Sequence, residues 1–526
     1  MNETTPQRLR EQLARAYTFE GPSFMLGTAM LKRGPLPATP VRMPLATVNR
    51  HGLIAGATGT GKTKTLQIVA EQLSRHGVPS LLMDIKGDLS GLAAPGKDHP
   101  KIQERHDAIG EPYAPFASPV ELMSLTGEAG VRLRATVTEF GPVLFSKVLG
   151  LNDTQSGVAA LVFKYADDQG MPLVDLGDFK KLLQYLTREG KEEIRDEYGT
   201  ISSASTGAIV RRIIELEAQG AEAFFGEPSF EVEDLLRRDD DGHGVCSILR
   251  LTDVQDRPKL FSSFMLQLLA EVYAALPERG DADRPELVLF VDEAHLVFEE
   301  ASDALLDQLE SIIKLIRSKG VGIVFITQNP ADIPEDILGQ LGFKLQHALR
   351  AFTAKDRKAI KLAAQNFPVT DYYDVPALLT EMGIGECLAT VLDEDGRPTP
   401  LVHTLLRAPA SRMDVLSARE IDRLTSDSAL VRKYAERVNP ESAEELLAAK
   451  LADAREEAHQ AELAEQRQRA TRTTSRRRAE KSTFEKVMDS TVTRQVGRTV
   501  ARELTRGLLG VLGIKQTRRR RRKGWF

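Results

Sequence analysis

Apolar positions along this chain change their spacing at a few points, and each change marks an element. The runs "HGLIAG" (51–56) and "VPSLLMD" (78–84) are short and unbroken, as strands buried on both faces are. Between them, "ATGTGKTKTLQIVAEQLSRHG" (57–77) is a glycine-rich loop that opens into an amphipathic helix. Strand, loop, helix, strand is the unit of a parallel sheet with crossover helices. From about 95 to 280 the spacing is mostly three and four, as in "SASTGAIVRRIIELEAQG" and "KLFSSFMLQLLAEVYAALPE", which predicts helices. One strand candidate, "GVCSILRL", interrupts them at 244–251. The sheet resumes with "ELVLFVDEAH". A helix follows over 302–320, with Leu305, Leu309, Ile312 and Ile316 on one face and Gly320 placed to end it. "VGIVFITQ" is the next buried strand, and "ECLATVL", "DEDGR", "PLVHTLL" read as a late hairpin. From about 410 the chain turns to Ala, Glu and Arg, and 441–470 predicts a long exposed helix with coiled-coil character.

The expected fold is α/β with a mainly parallel sheet. The core is assigned to 46–104 and 241–408, with a helical insertion at 105–240 between the glycine loop and the Asp292 strand. Residues 1–45 are a lead-in, 409–470 a charged helical linker, and 471–526 a basic amphipathic tail, partly disordered.

Two stretches carry chemistry. "GATGTGKT" runs from Gly56 through Ala57, Thr58, Gly59, Thr60, Gly61 and Lys62 to Thr63. It fits G-x-x-x-x-G-K-T in full, with strand before and helix after. The glycines let the backbone curl so that several N–H groups face one phosphate. Lys62 adds charge at the β/γ-phosphates, and the Thr63 hydroxyl suits Mg²⁺. The helix that continues through Lys64 presents its positive end to the anion. In "LVLFVDEAH", Asp292 ends a buried strand at the same sheet edge and is placed to hold Mg²⁺ through water. Glu293, one step on, is placed as general base for the attacking water. No N-K-x-D or T-K-x-D for guanine is present, since "TAKD" (353–356) has the wrong spacing, so ATP is the expected nucleotide.

Bulk composition narrows the class. At 42 % hydrophobic and 28 % charged residues the chain reads as a soluble globular protein. No apolar run approaches the ~20 residues that span a bilayer, and "MNETTPQRLR" has no signal-peptide core. Cys246 and Cys387 read as buried thiols in a reducing cytoplasm, and the histidines show no zinc-ligand spacing. The net charge of −5 hides an asymmetry: 467–526 holds 19 Lys/Arg against 4 Asp/Glu, a balance of +15, so the rest carries −20. Within that tail Arg494, Arg498, Arg502 and Arg506 lie opposite Val492, Val496, Val500, Leu504 and Leu508 on a helix, before six consecutive cations and Trp525. Binding to nucleic acid, lying on an anionic membrane at the cytoplasmic face, and packing on a sister subunit all stay open for it.

"DEAH" at 292–295 spells the box of one helicase class, but 230 residues separate Lys62 from Asp292. Too little chain follows Gln328 for the second ATPase-like domain of that class, so the spelling is read as coincidental and His295 as a helix-start residue. The set "HGLIAGATGTGKTKTLQ", "LLMDIKGDLSGL", "LVLFVDEAHLVF" and "IRSKGVGIVFITQNPADIPEDILGQLGFKLQHALRAFT", over about 20–405, resembles the HerA/FtsK superfamily of ring ATPases. More closely, it looks like bacterial proteins described as having a HerA-like helicase C-terminal domain. The resemblance implies a RecA-like core, a homo-hexamer, and Mg²⁺-dependent ATP hydrolysis between subunits. It implies DNA translocase or helicase action, with a protein or membrane-associated partner as the alternative substrate. Carried over, Gln328 senses the γ-phosphate, Arg317 or Arg350 serves as a trans arginine finger, and Asp84 and Lys86 border the nucleotide. The 45 residues before the glycine loop leave no room for the β-barrel of the archaeal helicases, so a nuclease partner is not expected.

Overall fold

The computed structural model describes residues 4–479 except 253–256, 281, 299–302, 352 and 439. Among the described residues twelve strands form one sheet. They are β1 (Ser23–Leu31), β2 (Gly34–Pro44), β3 (Gly52–Ala55), β4 (Ser80–Asp84), β5 (Val120–Ser124) and β6 (Val131–Arg132), then β7 (Cys246–Arg250), β8 (Leu287–Val291), β9 (Val321–Thr327), β10 (Phe343–Gln346), β11 (Glu386–Thr390) and β12 (Val402–Leu406). Their order across the sheet is β2-β1-β12-β11-β10-β3-β9-β8-β4-β7-β5-β6. From β10 to β6 every neighbouring pair is parallel. From β10 back to β2 every pair is antiparallel.

The parallel part explains the unbroken apolar runs. Every position of β3, β4, β8 and β9 is buried, because helices cover both faces and leave no solvent side to favour alternation. The crossovers are helices: Lys62–Arg75 between β3 and β4, Pro258–Ala275 between β7 and β8, and Asp303–Ile316 between β8 and β9. In the last of these Leu309, Ile312 and Ile316 are buried, and Gly320 ends the following turn at φ 75°. The side chain of Leu305 lies outside the described residues. The late hairpin is present as antiparallel β11 and β12, and both cysteines are buried free thiols.

The sheet reaches further than the spacing predicts. Residues 1–45 supply a helix, α1 (Thr4–Ala16), and the strands β1 and β2. β2 carries prolines at 35, 37, 40 and 44, which argue against a strand in sequence. It is the edge strand, where a missing N–H costs no ladder bond and prolines blunt the edge. The stretch 105–240 is mainly helical, as expected, but it also adds β5 and β6 to the far edge. Its aromatic rings form two groups, Phe145 with Phe163 and Phe179, and Phe140 with Phe224 and Phe225, and the second reaches Phe264 of the Pro258–Ala275 helix through Phe224. Residues after 409 first pack down: Leu416, Leu430, Tyr434, Ala443 and Leu447 are buried.

The chain divides into two units, 1–449 and 450–526. In the second, the described residues continue the helix Ala443–Ala479 and are exposed at nearly every position through 467. The basic and apolar stripes of 492–508 and the terminal cations lie outside the described residues. No described helix is long and apolar enough to cross a membrane.

Candidate nucleotide site

Four adjacent parallel strands, β3, β9, β8 and β4, end at one edge of the sheet. Their carboxyl ends place the glycine loop, Gln328, the Asp292–Glu293 pair and the Asp84–Lys86 turn side by side. The strand ending at Gln328 lies between the phosphate loop and the acids.

The loop is made by its backbone. Gly56 N–H donates to Thr327 O (3.2 Å) and Ala57 N–H to Ala348 O (2.8 Å), so β9 and β10 fix where the chain leaves β3. Gly56 has φ 151°, and a Cβ there would lie 2.5 Å from the His347 Cβ. Gly61, at φ 113°, turns the chain into helix α2 (Lys62–Arg75). Thr60 Oγ1 donates to Ala57 O at 2.7 Å, and Gly385 N–H closes the other flank on Thr60 O at 3.2 Å. Thr58 and Gly59 are exposed at the tip. Lys62 folds over the loop and donates to Gly56 O (2.6 Å) and Ala57 O (3.4 Å). Burial and the nearby Lys86 hold its ammonium below the ordinary lysine range, with Glu293 and Asp292 opposing. Thr63 begins the helix half-buried. Lys64 points elsewhere: its ammonium donates to Met413 O.

The acids are built from side chains. Asp292 and Glu293 are both buried, and Ala294 N–H ties the turn to Ile326 O at 2.9 Å. Glu293 sits at φ 47°, a left-handed conformation that is uncommon for a non-glycine residue and is found most often where function demands it. Lys86 forms an ion pair with Glu293 Oε1 and lies 3.8 Å from Asp292 Oδ2. Burial pushes Asp292 up to about 6, against the pull of Lys86. Burial also raises Glu293, but Lys86, together with His295 and Lys62, outweighs it and holds that carboxyl below its ordinary range. Glu293 Oε2 is buried and accepts no hydrogen bond, which leaves it available to a water. His295 starts a short helix, with Nδ1 3.5 Å from that oxygen.

The donor set fits a hard divalent cation on a triphosphate. A threonine hydroxyl and a carboxylate supply oxygen ligands, and lysine and backbone amides face the anion.

His347 and Glu71 were not legible in the sequence, and neither was the inward role of Asp84, which the resemblance set beside the nucleotide. His347 is fully buried, bonds Thr65 Oγ1 at 2.8 Å, and is kept neutral by burial and Lys62, at about 4. Its position after β10 gave no local signal. Asp84 is turned inward: its carboxylate accepts from Gly87 N–H (2.7 Å), Asp88 N–H (3.1 Å) and Leu89 N–H (3.1 Å). It shapes the turn from which Lys86 rises. Glu71, in the middle of α2, accepts from Ala410 N–H, Ser411 N–H and Ser411 Oγ–H, strapping 410–411 across that helix.

Gln328 is exposed at the end of β9, just before a turn capped by Asp332, whose carboxylate accepts from Thr327 Oγ1 and Asn329 N–H. Arg350 is exposed two residues beyond Ala348, on the phosphate-loop edge. Arg317 is exposed before β9 begins, so it lies at the opposite, amino edge of the sheet.

The family model described as Helicase HerA-like C-terminal matches residues 30–519. The chain belongs to that family. It is similar to the DNA double-strand break repair helicase HerA of Sulfolobus acidocaldarius, 20 % identical over 334 residues, 62 % of this chain and 60 % of that one. The helicase of the same description from Saccharolobus solfataricus is 20 % identical over 355 residues, 66 % and 63 % of the two chains. The chain thus spans less than two thirds of these relatives' length. Among solved structures it is similar to the bacterial conjugative coupling protein TrwB, with a TM-score of 0.48 at 15 % identity over 77 % of this chain and 94 % of that one. VirB4 of Thermoanaerobacter pseudethanolicus gives 0.45 at 18 % identity over 73 % and 96 %.

Proposed function

We propose that this protein is a Mg²⁺-dependent ATP-hydrolysing motor that works as a homo-hexameric ring and moves or unwinds DNA. The observation that carries the reading is the shared edge: the Lys62 loop and the Asp292–Glu293 pair close one site at the ends of β3 and β8. The amides of 56–63 and Lys62 bind the phosphates. Thr63 and Asp292 would hold the metal, which when bound neutralises phosphate charge. Glu293, through its free oxygen, takes a proton from water as that water attacks the γ-phosphorus and ADP leaves. Gln328, between loop and acids, orients that water. A neighbouring subunit supplies Arg350 or Arg317 to the transferred group. DNA as substrate is supported by the family and by the relatives described as repair helicases.

The test is the ATPase rate of the intact oligomer with and without single- and double-stranded DNA. Stimulation by either form supports the motor. No DNA binding at low salt and no stimulation refute it. The charge of −20 outside the tail favours a second reading, a ring acting on a protein or membrane-associated partner, because a channel that tracks phosphates needs cations. Liposome flotation against DNA retention separates the two for the tail.

A further inference from the structure

Lys86 belongs to neither of the two sequence motifs, yet it makes the closest charge contacts in the site. Its ammonium pairs with Glu293 Oε1 and stands 3.8 Å from Asp292 Oδ2. The two acid side chains are 8 % and 4 % exposed, while that of Lys86 is 39 % exposed. Two adjoining buried carboxylates repel one another and require a cation. Here that cation is carried on a flexible stem at the solvent side.

The stem has a fixed base. Asp84 holds the N–H groups of Gly87, Asp88 and Leu89. Gly87 takes φ 74°, and a Cβ there would meet Thr252 Cγ2 at 3.0 Å. The backbone beneath Lys86 is therefore locked, and the side chain is the part free to move. An ammonium at these oxygens competes with a metal for Asp292 and weakens Glu293 as a base. The ion pair and the hydrolytic arrangement exclude each other.

We infer that Lys86 is a positioning residue for the hydrolytic base, a built-in counter-ion that holds Asp292 and Glu293 and is exchanged for the charge of the metal–triphosphate. This rests on the proposed roles of Asp292 and Glu293. The exchange ties base release to loading: Glu293 is freed only where a metal–nucleotide has taken over the acids. A lysine that merely stabilised the turn would not compete with metal.

The test is Mn²⁺ titration of the full-length oligomer without nucleotide, read by electron paramagnetic resonance. Lys86→Met should bind Mn²⁺ about tenfold more tightly than the parent, because a competing cation is gone. Lys86→Arg should match the parent. Asp292→Asn added to Lys86→Met should remove the gain. Should Lys86→Met fail to fold, Lys86→Gln carries the same comparison. Equal Mn²⁺ affinity in parent and neutral variant overturns the inference and leaves the reading of the site standing if Glu293→Gln still abolishes hydrolysis. A gain that survives in the double variant overturns the role of Asp292, and the inference with it.

Discussion

The two walls of the site are held by different means. The phosphate loop is fixed by backbone: strand ends, a Thr60 hydroxyl and three glycines at positive φ set its curve. The acid wall is fixed by charge, with Lys86, beyond the end of β4, paired to the two acids that follow β8. A backbone wall is formed before any ligand arrives and offers the same amides each cycle. A wall held by an ion pair can rearrange when a new charge enters. The first suits binding, which should be constant, and the second suits hydrolysis, which should be conditional.

Substitutions in the two walls should therefore fail in different ways. The largest effect belongs to the phosphate loop. Lys62→Ala removes a charged donor and should weaken nucleotide binding about 10–100-fold, with hydrolysis below detection. Gly61→Val should do as much by denying the loop its φ of 113°. Titration with a fluorescent ATP analogue checks both. Normal affinity in either would mean that the loop is not a phosphate cradle. In the acid wall, Glu293→Gln should leave affinity unchanged and slow hydrolysis about 10²–10⁴-fold, trapping ATP on the protein. Single-turnover rates separate the two outcomes, and a loss of binding there would erase the division between walls.

The same contrast explains what could be read from sequence. The phosphate loop is eight consecutive residues whose local rules name each position, so Gly56 to Thr63 is visible without a fold. Asp292 and Glu293 are visible because a buried apolar strand runs into them. Asp84 and Lys86 were placed beside the nucleotide by resemblance, but the division of labour between them is tertiary: one carboxylate faces three amides, and one ammonium faces another strand's acids. His347 contacts Thr65 across 282 residues, a separation that no local pattern spans. β2 escaped because its prolines follow the rule for loops, and only its place at the sheet edge makes them harmless. The arginine stripe of the tail was equally plain in sequence, but it lies outside the described residues.

A smaller effect should come from beneath Lys86. Asp84→Ala leaves three N–H groups without their acceptor and should cost about 1–3 kcal/mol of stability in a urea titration. Turnover should fall several-fold while nucleotide affinity stays within about twofold, because the loosened turn carries the lysine and not the phosphate loop. If affinity fell as far as turnover, the two walls would be one unit.

The smallest effect should be a gain. Asp292 is pushed up to about 6 by burial, with Lys86 opposing. Between the ordinary carboxylate range and that value the folded chain binds a proton that the unfolded chain has released. Protonation therefore favours the folded state, and stability falls as pH rises through about 6. Asp292→Asn cannot ionise and should escape this loss. Without nucleotide or metal, its melting temperature should exceed that of the parent by a few degrees at pH 7.5, and the gap should close on acidification past pH 5. Activity should be lost at both. Differential scanning calorimetry of the two proteins across this range checks the sign. A variant that melts lower at every pH would mean that the attraction to Lys86 exceeds the cost of burying the carboxylate. The acid wall would then be rigid in its own right, like the loop it faces. A variant that melts higher would mean that this carboxylate is kept against the stability of the fold, which is what a residue retained for a visiting cation should look like.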